Sequence, residues 1–144
     1  MHHEALAGPC ACTTLRKAAR AVGRVYDEAL ADAGMTTAQF AILRHVARGE
    51  PVPLSRLADS LAMDRTSLYR ALAPIEAKGW VTVSAGPGKA KLATLAPEGR
   101  AAMEGAEGDW AAVQQRIVGT MGAETWAGLE ADLRALTTFA QDAH

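Results

Sequence analysis

LSRLADSLAMDRTSLYRALAPIEAKGWV, residues 54–81, decides how this chain folds. Leu54, Leu57, Ala58 and Leu61 recur at i, i+3, i+4 and i+7, which puts one apolar side on a short helix and leaves Ser55, Arg56 and Asp59 on the other. A break at Ala62-Met63 leads to Asp64, whose carboxylate is placed to accept from the Ser67 amide and start a second helix. In that helix Leu68, Leu72 and Ile75 form the inward stripe, and Arg65, Thr66, Ser67, Tyr69 and Arg70 face outward near the N-terminal end. The pattern is that of a helix-turn-helix.

Gly79 supplies a helix stop, and Trp80–Ser84 and Ala90–Leu95 read as two strands around Ala85-Gly86-Pro87-Gly88-Lys89. Gly-Pro-Gly is a turn signal because glycine tolerates positive φ and proline fixes its own. The pair makes a wing carrying Lys89 and Lys91. A helix-turn-helix with a wing implies double-stranded DNA as partner: the N-terminal end of the second helix enters the major groove, where Arg pairs with guanine and hydroxyls take base edges or phosphate. The competing reading of the same residues is a helical core fragment with an incidental hairpin, its arginines merely solvated.

The net charge of -1 sits poorly with a DNA partner until it is divided by region. Residues 54–100 sum to +3, residues 1–53 to +1 and residues 101–144 to -5, so the winged segment is the basic part of the chain. A surplus of +3 is modest for an affinity that rests on phosphate contacts, and two copies side by side answer that better than one.

The 144 residues suit one domain, and 49% hydrophobic content suffices for a packed core. No apolar run of about 18 residues occurs, so no membrane partner is expected. MHHEALAGPC lacks the basic start and apolar middle of a secretory signal, so a cytoplasmic protein is expected.

Helices are expected on both sides of the winged unit. Thr13–Ala31 repeats Leu15, Ala18, Ala19, Val22, Val25, Tyr26 and Ala29 beneath Arg16, Lys17, Arg20 and Arg24; Thr37–Arg48 turns Phe40, Ile42, Leu43 and Val46 inward and closes at Gly49-Glu50-Pro51. After the wing, Pro97 opens a helix in which Met103, Ala106, Trp110, Val113 and Ile117 recur, and beyond Gly122 the pattern resumes through Trp126, Leu129, Leu133, Leu136 and Ala140. Such a seam reads as serving a partner helix, against the plainer alternative of a monomeric helical hairpin. A two-fold dimer presents two recognition helices to a palindromic site. The fold class is therefore mainly α with a small β-wing, a winged helix-turn-helix flanked by N- and C-terminal dimerisation helices.

Over nearly its whole length the chain resembles the MarR family of bacterial transcription regulators. The resemblance is carried by LRKAARAVGRVYDEAL, GMTTAQFAILRHV, LSRLADSLAMDRTSLYRALAPIEAKGWV and LATLAPEGRAAM, in that order and spacing. It implies one domain over 1–144, with 10–33 and 97–142 as dimerisation helices and 36–95 as the DNA-binding part. It implies a homodimer on an inverted repeat, acting as a repressor released by a small aromatic compound or an oxidant. Carried over by position, Thr66, Ser67 and Arg70 contact bases or nearby phosphates and Arg65 and Ser55 the backbone, with Ser67 otherwise serving only the helix cap. Family wings commonly carry an Asp and an Arg that enters the minor groove, whereas this shorter wing offers Lys89 and Lys91, which lack the planar fork. Pro53 and Ala96 stand where the family often has a Thr cap.

Cys10 and Cys12 form a C-x-C at the start of the first helix, where a thiol pKa tends to fall, and Arg16 lies one turn beyond Cys12. Cys12 falls where the hydroperoxide-sensing branch of the family has its reactive cysteine, and Tyr26 on one of that branch's activating tyrosines; Arg16 and Thr37 replace the others. The alternative role for these thiols is simple packing. Arg16 or Arg20 is a candidate for a ligand carboxylate between the first helix and the winged domain. His2, His3, His45 and His144 have no metal-ligand spacing, so no metal or cofactor is expected. No nucleophile elbow or phosphate loop appears, which argues against an enzyme. A winged-helix module that binds protein instead of DNA is the rival from another class.

Overall fold

The computed structural model describes residues 8–143; His2, His3 and His144 lie outside them. Helix α1 (Ala11–Leu30) runs into a 3-10 turn (Ala31–Ala33) that Gly34 ends at φ 73°, and α2 (Thr37–Gly49) follows. Thr36 and Gln39 cap α2 reciprocally, each side chain meeting the other's backbone amide at 3.1 Å, and Asp27 of α1 accepts from the Thr37 amide at 2.7 Å. A short strand β1 (Val52–Pro53) leads to α3 (Leu54–Ser60) and α4 (Arg65–Ala77), the helix-turn-helix. Strands β2 (Val81–Ala85) and β3 (Lys91–Leu95) form the wing, and α5 (Pro97–Met121) and α6 (Ala123–Asp142) complete the chain.

The sheet is three-stranded, in the order β1-β3-β2, where the sequence suggests a two-stranded wing. Val52 pairs with Ala93 and Pro53 with Leu92. Two residues are too few to show alternation, and proline is tolerated because β1 lies at the sheet edge. The wing strands pair from Val81 opposite Leu95 to Ala85 opposite Lys91, which removes Trp80 and Ala90 from the expected strands.

The core gathers where these elements meet. Leu30, Phe40, Leu43, Val46, Leu57, Leu68, Leu72 and Ile75 are almost wholly buried, and each such side chain stabilises the fold by about 1.5–3 kcal/mol relative to exposure. Met103, Ala106 and Val113 of α5 are buried too, the first two against this core. Part of the seam expected to face a partner is therefore consumed by the chain's own winged unit, because α5 is long enough to pass along α1 and α2 before it leaves them. What stays open lies on α1 and α6. Leu15, Val22, Leu129, Leu136 and Phe139 are exposed, Phe139 to 71%.

Glu50, just past the end of α2, holds the base of the wing. It accepts from the Leu95 amide at 2.7 Å and forms an ion pair with Arg100 of α5. None of the described helices is long and apolar enough to cross a membrane.

Candidate nucleic-acid interface

The turn between α3 and α4 is closed by backbone bonds from Ala62 N to Asp59 O (3.1 Å) and from Met63 N to Ala58 O (2.8 Å). Ala62 takes φ 54°, a left-handed conformation that costs a non-glycine residue about 1–2 kcal/mol and that the sequence does not announce. Asp64 then caps α4 as its position predicts: the Ser67 amide donates to one carboxylate oxygen at 2.7 Å and the Ser67 hydroxyl to the other at 3.0 Å. The Ser67 amide, then its hydroxyl, hold the Asp64 carboxyl below its ordinary range, with the Arg70 charge adding to this. Ser67 is thus a capping residue here, with its hydroxyl proton committed.

Arg65, Thr66, Tyr69 and Arg70 are all exposed, while Leu68, Leu72 and Ile75 turn inward. The outward face read from the sequence is the outward face of the molecule. Ser55 is exposed near the start of α3, and Lys89 and Lys91 are exposed on the wing. Gly88 at φ 65° makes the turn, with Gly86 N donating to Ala90 O at 2.8 Å. Pro53 and Ala96 stand at the N-termini of α3 and α5 and provide no side-chain cap.

Not all of these side chains gather in one place. Ser55, Arg65, Tyr69, Lys89 and Lys91 line a recess of about 100 Å³ between the two helices and the wing; Thr66, Ser67 and Arg70 do not line it. The Lys91 ammonium lies 5.9 Å from the centre of the Tyr69 ring.

On α1, Cys10 and Cys12 are free and exposed, and Arg16 and Arg20 are exposed beyond them. Cys10 is the N-cap of the helix. The Thr13 amide and hydroxyl, then the Cys12 amide, hold its thiol below the ordinary cysteine value. Within one chain Tyr26 stands apart from the thiols: it follows Cys12 by fourteen residues of one helix, roughly 21 Å along the axis. Its hydroxyl donates to Gln114 of α5, and burial raises its pKa.

One constellation went unread in the sequence. The Arg44 guanidinium lies 4.3 Å from the Trp110 ring and 5.6 Å from the Phe40 ring, beside His45 and Arg48 in a recess of about 120 Å³. The ring Nδ1 of His45 is 2.7 Å from the Ala41 carbonyl, as its donor, which leaves Nε2 free. The Phe40–Arg44 spacing was legible as i, i+4, whereas Trp110 comes from a helix 66 residues on and gave no local signal. Among the described residues no cluster of three His, Cys, Asp or Glu is placed to hold a metal ion.

The sequence model of the MarR family matches residues 33–91. Comparison with curated proteins gave no match. Among solved structures, the transcriptional regulator MosR of M. tuberculosis in complex with DNA is 34% identical, with a TM-score of 0.86 over 94% of this chain and 98% of that one. A cysteine-to-serine mutant of E. coli MarR complexed with operator DNA is 24% identical, with a TM-score of 0.77 over 86% of this chain and 91% of that one. CouR of Rhodococcus jostii RHA1 bound to p-coumaroyl-CoA is 17% identical, with a TM-score of 0.76 over 90% and 92%. The last two show likeness of fold alone.

Proposed function

Because the chain belongs to the MarR family of transcriptional regulators, we propose that it is a homodimeric repressor that binds an inverted repeat in duplex DNA through α4 and the wing. The observation that carries this reading is the start of α4, where Arg65, Thr66, Tyr69 and Arg70 are exposed beside a basic wing. Arg70 and Thr66 are assigned to base edges, and Ser55, Arg65 and Lys89 to the sugar-phosphate backbone. The apolar positions of α1 and α6 are assigned to the second copy, making residues 10–33 and 97–142 the dimerisation helices and 36–95 the reading head.

Fluorescence anisotropy on the duplex upstream of the protein's own gene tests this. Affinity falls steeply between two salt concentrations and drops about 10- to 100-fold in Arg70→Ala, as loss of a bidentate guanine contact demands. Binding that ignores both changes instead supports a winged-helix module for a protein partner.

Two release signals have structural support. Oxidation is favoured by the exposed Cys10 thiol with its lowered pKa. Its thiolate attacks the terminal oxygen of a hydroperoxide, the O–O bond breaks, the alkoxide or hydroxide that leaves takes a proton from solvent water, and the sulfur is left as sulfenic acid. A small anionic aromatic compound is favoured by the recess at Arg44, His45, Arg48 and Trp110, better built for one than the exposed Arg16 or Arg20. Titration of the DNA complex with peroxide, and with benzoate, separates them.

A further inference from the structure

We propose that Glu50 is a positioning residue for DNA binding: with Arg100 it latches the wing to α5 and so sets the angle at which Lys89 meets the duplex, against a fixed hinge at Trp80 and Gly99. The proposal rests on the DNA-binding reading and gives a part in it to two residues that the reading leaves aside.

The wing has two roots, and they are held differently. At the root of β2, backbone meets backbone: the Trp80 carbonyl accepts from the Ala96 amide, and Gly99 of α5 packs against it with no room for a side chain. At the root of β3 the tie is a side chain. β1 and β3 pair only at Val52–Ala93 and Pro53–Leu92, and Pro51 and Pro53 have no N–H, so Val52 is the one donor that residues 51–53 offer. Carried on, the same register sets Glu50 opposite Leu95, and there the Glu50 carboxylate takes up the Leu95 amide at 2.7 Å. Leu95 is buried, so its amide without that acceptor would cost stability.

The other carboxylate oxygen pairs with Arg100. Arg100 is ill placed for α5 itself, since a cation in the first turn opposes the helix dipole and Ala96 supplies no cap to offset it. Glu50 accounts for the charge there. The pair is partly exposed and worth little to the fold, so it opens more readily than the backbone contact at the other root. Buried Val81, Ala93 and Leu95 keep any swing of the hairpin small. A small one is enough: five strand residues at about 3.3 Å each put the tip about 16 Å from the root, so a turn of about 10° moves Lys89 by about 3 Å.

Charge alone and the latch predict opposite signs. Glu50→Gln removes an anion from the DNA-binding part while keeping an oxygen for the Leu95 amide. As a mere nearby charge its loss would tighten binding; as a latch its loss weakens binding about two- to five-fold, the worth of a partly exposed ion pair. Arg100→Met weakens it equally, the double variant is no worse than either, and Arg100→Lys keeps most of the affinity. In anisotropy on a duplex that the unaltered protein binds, Lys89→Ala costs less in the Arg100→Met background than alone, whereas Arg70→Ala costs the same in both, because the latch acts through the wing. Tighter binding by Glu50→Gln, or an equal cost of Lys89→Ala in both backgrounds, overturns the proposal. Hydrogen exchange needs no DNA: Arg100→Met speeds exchange in β2 and β3 and leaves α4 unchanged. Exchange that Arg100→Met does not alter overturns the latch while leaving DNA binding intact, whereas failure of the unaltered protein to bind any duplex removes the DNA-binding reading and the positioning role with it.

Discussion

A Cβ atom built on Gly99 would lie 1.9 Å from the carbonyl oxygen of Trp80. The same carbonyl accepts from the Ala96 amide at 2.9 Å, so the start of α5 is pressed against the chain just before the wing. Gly99→Ala must push backbone from backbone, and we expect a loss of about 3 kcal/mol or more of stability in urea unfolding. Gly105→Ala, in the same helix but with open space around it, should instead raise stability by up to about 1 kcal/mol.

Asp64 makes α4 sensitive to acid. Its folded-state pKa lies below the ordinary carboxylate value of 3.8, so its contribution is present above that value and disappears as pH falls through the lower, folded one. Asp64→Asn keeps a capping oxygen but cannot titrate in this way. Thermal melts from pH 7 to pH 2 should show the advantage of the unaltered protein over Asp64→Asn narrowing only below the ordinary carboxylate range, and Asp64→Ala should be the least stable of the three at neutral pH.

The exposed leucines predict a concentration-dependent molecule. Leu15 of α1 and Leu136 of α6 line one shallow groove, with Phe139 exposed on the same helix. Leu136→Asp should convert the proposed dimer to monomer in sedimentation and weaken operator binding at least tenfold, because a single reading head retains half the contacts. Unchanged mass would remove α6 from the dimer interface.

Of the two thiols, Cys10 should react first. Its lowered pKa leaves more thiolate at neutral pH, so labelling by iodoacetamide at pH 7 should slow markedly in Cys10→Ser and little in Cys12→Ser. Peroxide should release DNA from the native protein and from Cys12→Ser, while Cys10→Ser stays bound; release from all three would exclude a thiol switch.

The helix-turn-helix was legible because its signals are local: apolar residues three and four apart, a cap at Asp64, a stop at Gly79. The outward face of α4 followed from the same periodicity. Less could be read where distant residues meet. Periodicity marked Met103, Ala106 and Val113 as apolar without telling a partner's core from their own. The family resemblance matched Cys12 and Tyr26 position by position without saying how far apart one helix holds them, roughly 21 Å within one chain. Arg44 beside Trp110 and Lys91 over Tyr69 depend on how helices and wing dock, which spacing along the chain does not encode.

Glu50 has a mechanical consequence. One carboxylate bonded both to the end of β3 and to Arg100 in the first turn of α5 leaves no slack between them. Any roll of α5 about its axis must therefore either break the half-exposed Arg100–Glu50 pair or draw the root of the wing along with it.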